Sequence, residues 1–476
     1  MATGDTVLRE DSLVRRPDGL GISLTVPWYR SLWLSSVSDI AVTLDGQPIP
    51  REDLRVELGD RTYAVDELQD QWDVLWFIQD RLVVVAPRSE TRTNGEAVDV
   101  EVTVDLRLPY MQIAPMKYVT NHAVNRRSLV AHGTATPAVP GSDIKLGLSL
   151  YSLTSEWAAG RYDLHGLLDA VADAGIGPGI EIVASQTVRT YPVVTDEFVR
   201  EWRDAFDRHG FVPSSFGANL DMGRRRDRDM TLDEEYEFTA TQFRSAHALG
   251  YHLVRIQSAK PELIRRLMPL AEELDLTLGW EIHAPHGPNS PKVMEIRELY
   301  DAIDSPRLGF VADFSATMRR MSPTLLRKLA KMGLATEDLE RLQDIWSTDA
   351  AIDQQHGEFV AYLNSRNIAP ERLGSFARLA FNMHGHLDPS EWADIMPRIV
   401  HVHAKFYDID DDGNEPAIDY PALVRVLVNG GYAGFMSSEW EGHAFADVDE
   451  ADPIDLIRKQ HALIRQAIST ALAERK

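Results

Sequence analysis

Residues 276–287 read LTLGWEIHAPHG. Leu276, Leu278 and Trp280 form an apolar run that stops at Glu281, and His283 and His286 follow within five positions. One charge there would only mark where a strand meets water. Three side chains able to bind metal or move protons require partners elsewhere in the chain. The run belongs to a series. Short apolar runs recur as IKLGLSLY (144–151), GIEIVA (179–184), VPSSFGA (212–218), HLVRIQ (252–257), LTLGWEIH (276–283), LGFVADF (308–314), IVHVHAKF (399–406) and GFMSSEW (434–440). Between them lie amphipathic stretches such as EEYEFTATQFRSAHALG (234–250) and PELIRRLMPLAEEL (261–274), with apolar residues three and four apart. Eight strand–helix units predict an α/β fold, a (β/α)8 TIM barrel over 144–476. A doubly wound sheet is the alternative, but no glycine-rich phosphate fingerprint follows the first run.

The first 130 residues follow a different period. VDVEVTVDLRL (98–108) places Val or Leu at every second position with Asp, Glu, Thr or Arg between, which is a strand with one wet face. LDGQPIP (44–50) and the Gly-Asp pair at 59–60 are turn signals, and RLVVVAP (81–87) is a short buried strand. An all-β, sandwich-like domain is expected over 1–130. In it PWYRSLWLSS (27–36) is either interface or core. Residues 131–143, AHGTATPAVPGSD, read as a linker. Consecutive barrel runs start about 25 to 40 residues apart, except that 315–398 separates the sixth from the seventh. That helical-looking insertion falls on the strand C-terminal side, where barrels keep their active sites, and is a candidate lid or partner surface. Its segment FNMHGHLDP (381–389) is the part expected nearest the substrate.

Composition narrows the function. The 476 residues contain 44% apolar side chains, enough for two or three cores, and no Cys. That removes disulfides, thiolate nucleophiles and Cys-ligated zinc. A net charge of −24 sets the chain against phosphate backbones, so no nucleic-acid partner is expected. The start, MATGDTVLREDSLVRR, has no apolar signal region and no long apolar span occurs, so a soluble, cytoplasmic protein without a membrane partner is expected.

In a barrel the strand ends converge on one mouth. The later runs offer Glu281, Asp313, His401 or His403, and Glu439 or Glu441. Three carboxylates and an imidazole form an oxygen-rich set suited to Mn²⁺ first, with Mg²⁺, Co²⁺ or Zn²⁺ as alternatives. Alternation puts both histidines on one face and both glutamates on one face. Nearness to the mouth favours His403 and Glu439, with His401 one layer deeper. His283 shares the face of Glu281, one step further out, and is the candidate general base. His286, Lys405, Gln257 and Glu181 complete the set as candidate substrate-binding residues.

The motifs LGWEIH, VADF, HVHAKF and SSEWEG resemble the xylose isomerase-like sugar isomerase and epimerase superfamily. More narrowly, EIHAPHG and ADFSA look like the α-subunit of bacterial C-glycoside deglycosidases, and VPWYRSLWLSSV with the LDG turn looks like their small β-subunit. The family's usual form is two chains; here both parts stand in one. The resemblance implies a lyase acting on 3-oxo-glycosides made by a separate oxidoreductase. It further implies a divalent metal on Glu281, Asp313, His403 and Glu439, and His283 as the base that takes the C2 proton before the aglycone is expelled. The expected partner is thus a small glycoside, with a homo-oligomer as the assembly. The rival enzyme reading is a ketose 3-epimerase or aldose–ketose isomerase, which needs the same metal but a base on each face of the substrate carbon. A non-catalytic sugar-binding or scaffolding protein is the remaining alternative.

Overall fold

In the computed structural model, the eight apolar runs are the parallel strands of a closed barrel: Lys145–Ser149, Gly179–Val183, Val212–Gly217, Leu253–Ile256, Thr277–Ile282, Leu308–Asp313, Ile399–Phe406 and Phe435–Trp440. The first pairs with the eighth, which leaves no edge. Helices cover the outside, so strands such as Leu308–Asp313 are buried on both faces and read as continuous apolar runs. Local signals set the helices. Thr231 and Glu234 form a capping box at the start of Leu232–Ala248, and Gly210 ends Asp196–His209 in the left-handed conformation. The structure describes residues 7–475 except 10–11, 17–18, 29–30, 60, 78–79, 88–96, 115, 131, 134–138, 140, 226 and 448–449. Among these, no helix is long and apolar enough to cross a membrane. Of the first sixteen residues, 1–6 and 10–11 lie outside the described residues.

Register decides what faces the barrel interior. Glu281 lies across from Val311, and Val311 from His401. Asp313 lies across from His403, His403 from Ser437, and Lys405 from Glu439. Residues directly across from each other in a parallel pair share a face. All of these side chains therefore point inward, stacked in successive layers toward the C-terminal mouth.

Between the sixth and seventh strands the chain builds the helices Pro323–Lys331, Thr336–Trp346, Ile352–Ser365 and Phe376–Asn382. Trp346, Phe359, Leu363 and Phe381 give this segment its own buried apolar contacts. It grips the loop that follows the fifth strand. Leu387 fills the space where a Cβ at Gly287 would stand, and Asn289 donates to Asp394 at 2.8 Å.

The chain divides into two compact units, Met1–Ala135 with Ala172–Gly175, and Thr136–Val171 with Ile176–Lys476. In the first, the alternating stretch is the middle of strand Ala97–Ala114. Val98, Val100, Val102, Val104, Leu106 and Leu108 are all buried. On the wet face Glu101 pairs with Arg126 and Asp105 with His122, both across the antiparallel neighbour Lys117–Val130. These strands, with Val37–Leu44 and Gln47–Pro48, form a four-stranded sheet whose last turn uses the positive φ of Asp45 and Gly46. A six-stranded sheet supplies Leu20, Ile22, Leu24 and Val84 to the same core as Ile40, Val42 and the valines, making a sandwich. Leu32 and Leu34 of the aromatic cluster enter that core while Trp33 stays exposed; Tyr29 and Arg30 of the cluster lie outside the described residues. His132–Gly133, within the stretch read as linker, pairs in parallel with Val14 and Arg15. The backbone there joins a sheet despite its Gly- and Pro-rich surroundings; linker residues 131, 134–138 and 140 lie outside the described residues.

Alternation on Ala97–Ala114 yields a stability test. Leu106→Ala should cost about 2–5 kcal/mol in urea unfolding, because it opens a cavity between the sheets. Thr103→Ala, on the wet face, should cost less than about 1 kcal/mol.

Candidate metal and catalytic site

Glu281, Asp313, His403 and Glu439 come together at the barrel mouth, each offering one ligand atom within 4.8 Å of the others. His403 Nδ1 is at the centre, 2.7 Å from Glu281 Oε1, 3.1 Å from Glu439 Oε2 and 3.8 Å from Asp313 Oδ2. Asp313 Oδ1 accepts the Ser315 N–H at 2.7 Å, which turns Oδ2 toward the cluster. Asp313 Oδ2 and Glu439 Oε2 are buried without a hydrogen bond. Lys405 Nζ lies 3.3 Å from the first and 2.9 Å from the second, and 2.7 Å from Glu441 Oε2. Tyr151 donates to the other Glu441 oxygen at 2.8 Å. His403 and Glu439 are thus in the cluster, whereas Glu441 pairs with Lys405 just beyond the strand end and His401 sits deeper.

The electrostatics are lopsided. Among the described residues, Arg255 pairs with Glu281, Lys405 pairs with Asp313, Glu439 and Glu441, and the ion-pair partners of Glu181 are His401 and His403. Burial pushes the cluster carboxyls up, yet neighbouring charge outweighs it. His403 and Arg255 hold Glu281 at about 2, Lys405 and His283 hold Asp313 well below the usual range, and His403 and Lys405 do the same for Glu439. Burial disfavours the His403 cation, but Glu181, Glu439 and Glu281 raise its pKa well above the ordinary value. The excess of ionised oxygens around one imidazole, two of them without a hydrogen bond, fits a divalent cation ligated by Glu281, Asp313, His403 and Glu439.

His283 stands one residue past the fifth strand, half-buried. Its Nδ1 lies 2.7 Å from the Ala284 carbonyl, which can only accept, so Nδ1 carries the proton and Nε2 is left as the basic nitrogen. The loop is fixed by Ala284 N–H donating to Ser315 Oγ at 3.2 Å, so one residue orients both Asp313 and the His283 loop.

The other candidates separate. Lys405 is buried among the cluster carboxylates, and Glu181 is 1% exposed with its oxygens taken by His401 and His403. Gln257 and His286 are exposed and make no contact with the four among the described residues. Gln257 accepts the Leu220 N–H and lines a cleft of about 420 Å³ with Met222, Lys260, Trp280 and Lys292. Trp280 adjoins Glu281 in the strand and so faces away from the cluster. His384 of the insertion is buried against Ser322 and stacked on Tyr407, with burial holding its pKa down at about 3. The sequence reading missed Arg255, 3.8 Å from Glu281, although a charge inside the apolar run HLVRIQ was the available signal. Ser315 and Tyr151 carried no signal, because each acts through one contact that only the fold creates.

Lys405→Met should leave three buried carboxylates facing each other. The metal-free protein should lose about 3–5 kcal/mol, read as a lowered melting temperature that saturating divalent cation partly restores.

Residues 7–110 match the family model for the C-glycoside deglycosidase beta subunit, and residues 168–467 that for the xylose isomerase-like TIM barrel. A C-glycoside deglycosidase alpha subunit of Arthrobacter globiformis is 59% identical over 334 residues, covering 70% of this chain and 95% of its own. The 3'-dehydrocarminate deglycosidase alpha subunit of a Microbacterium species is 37% identical, covering 69% and 97%. A beta subunit from A. globiformis is 48% identical over 130 residues, 27% of this chain and 98% of its own. With a barrel so similar to one subunit and a sandwich so similar to the other, the chain belongs to the C-glycoside deglycosidase family and carries both parts in one polypeptide.

Proposed function

We propose that the protein is a metal-dependent lyase that cleaves 3-oxo-glycosides, C-glycosides among them, by removing the C2 proton and eliminating the aglycone from C1. The observation that carries this reading is the meeting of three carboxylates at His403 Nδ1 beside a histidine whose Nε2 is free to accept a proton. The names of the relatives, which include C-glycoside and 3'-dehydrocarminate deglycosidases, support the substrate class. Glu281, Asp313, His403 and Glu439 would hold the cation, Mn²⁺ first among the candidates, and the cation would supply positive charge for the oxygens next to the reacting carbon.

The chain's own residues account for the proton and the orientation. A C3 ketone acidifies the C2 proton, and His283 Nε2 would take it while Nδ1–H stays tied to the Ala284 carbonyl. The electron pair left on C2 forms the C1=C2 bond, the C1–aglycone bond breaks, and the aglycone takes up a proton from solvent, to which His283 gives up the one it removed. Ser315 keeps the His283 loop and Asp313 in one frame, so base and cation site move together. Lys405 screens the mutual repulsion of the carboxylates and holds Glu439 and Asp313 in place.

Incubating metal-loaded protein with 3-oxo-glycosides of C- and O-linkage should release aglycone from at least one class. Asp313→Ala or Glu439→Ala should remove metal and activity together in a folded protein; full turnover after thorough chelation would refute the metal. His283→Gln should keep fold and metal, lose about 10²–10⁴-fold in kcat, and lose exchange of the C2 proton with solvent deuterium. Retained exchange in that variant would move the base to Glu281 or Glu439 and favour the epimerase reading.

A further inference from the structure

Glu181, in the second strand, is 1% exposed, and both of its carboxylate oxygens are engaged by buried side chains. Its Oε1 lies 3.0 Å from His403 Nε2 and accepts from Ser149 Oγ at 3.2 Å, and its Oε2 lies 2.8 Å from His401 Nε2. All three partners are buried at 1% exposure or less. An ionised carboxylate only accepts, so each imidazole must present an N–H to it. Both ring nitrogens of His403 face carboxylates, Nε2 toward Glu181 and Nδ1 toward Glu281, Glu439 and Asp313; with a cation on Nδ1, the one ring proton would sit on Nε2, toward Glu181. The opposite tautomer would press the Nε2 lone pair against a carboxylate in a dry interior, which is costly.

We propose that Glu181 is a positioning residue that fixes the ring orientation and tautomer of His403, so that Nδ1 is presented as the ligand nitrogen. His401 holds Glu181 from the other oxygen and Ser149 from the side, so the carboxylate cannot rotate away. A carboxylate behind a ligating histidine both orients the ring and raises its basicity, and its loss lowers metal affinity about 10- to 100-fold. This inference rests on the metal site of the proposed function. It accounts for a buried charge that the elimination chemistry leaves unused.

The test compares wild type with Glu181→Gln, which keeps the side-chain size but turns an amide donor toward one of the two imidazoles. Mn²⁺ titration calorimetry should show affinity lowered about 10- to 100-fold in protein whose circular dichroism is unchanged. Histidine-selective ¹⁵N NMR of the metal-free protein should show a downfield, hydrogen-bonded Nε2–H for His403 in wild type, lost or shifted upfield in the variant. If Glu181→Gln does not fold, Glu181→Asp, one methylene shorter, should fold and show the same losses to a smaller degree. A folded variant with wild-type Mn²⁺ affinity, or with the His403 Nε2–H signal unmoved, would overturn the proposal. Absence of Mn²⁺ uptake by wild type would overturn the metal reading itself, while the metal-free NMR signal would still report on Glu181.

Discussion

The interior of the barrel mouth is organised by an imbalance of charge. Carboxylates taken out of water repel one another and are each costly to keep ionised unless a cation faces them. Here the available cations are Lys405, wedged among Asp313, Glu439 and Glu441, and Arg255, set behind Glu281. His403 absorbs part of the remainder by lying 2.7 Å from Glu281 and 3.1 Å from Glu439 at once. Everything around the site serves to keep this arrangement from relaxing. The closed barrel fixes strand spacing, Ser315 fixes which Asp313 oxygen turns inward, and Tyr151 fixes Glu441.

Much of this was legible in the sequence, because the two periods that carry it are strong. Eight apolar runs separated by amphipathic stretches, with no glycine-rich fingerprint after the first, favoured a barrel over a doubly wound sheet, and each run coincides with an observed strand to within a few residues. Alternation likewise put VDVEVTVDLRL on a half-wet sheet, and Val98 to Leu108 are buried at every second position. Alternation also placed His401 and His403 on one face. Alternation alone did not choose between them; order along the strand put His403 nearer the mouth, and which acids it meets there depends on register with the sixth and eighth strands. Pairing of His403 with Asp313 and Ser437 supplies that register.

What escaped the sequence reading depends on contacts between distant segments. Arg255 is one charge in an apolar run, and only the neighbouring strand shows that it faces Glu281. Glu181, named from the sequence only as a substrate-binding candidate inside the run GIEIVA, shows its buried partners His401 and His403, some two hundred residues later, only in the fold. The pairing of His132–Gly133 with Val14–Arg15 is of the same kind: local composition argues for a loop, and a parallel partner from the start of the unit overrides it.

The fit of Leu387 into the space above Gly287 couples two positions one hundred residues apart. Neither can drift alone. A side chain at 287 would collide with Leu387, and a larger residue at 387 would push on the loop that carries His283. The two sites should therefore be epistatic, tolerating change only in compensating pairs. A library that varies the loop after the fifth strand while holding the insertion constant would then sample mostly misplaced bases, whereas joint variation of both would keep the base in register while reshaping the mouth.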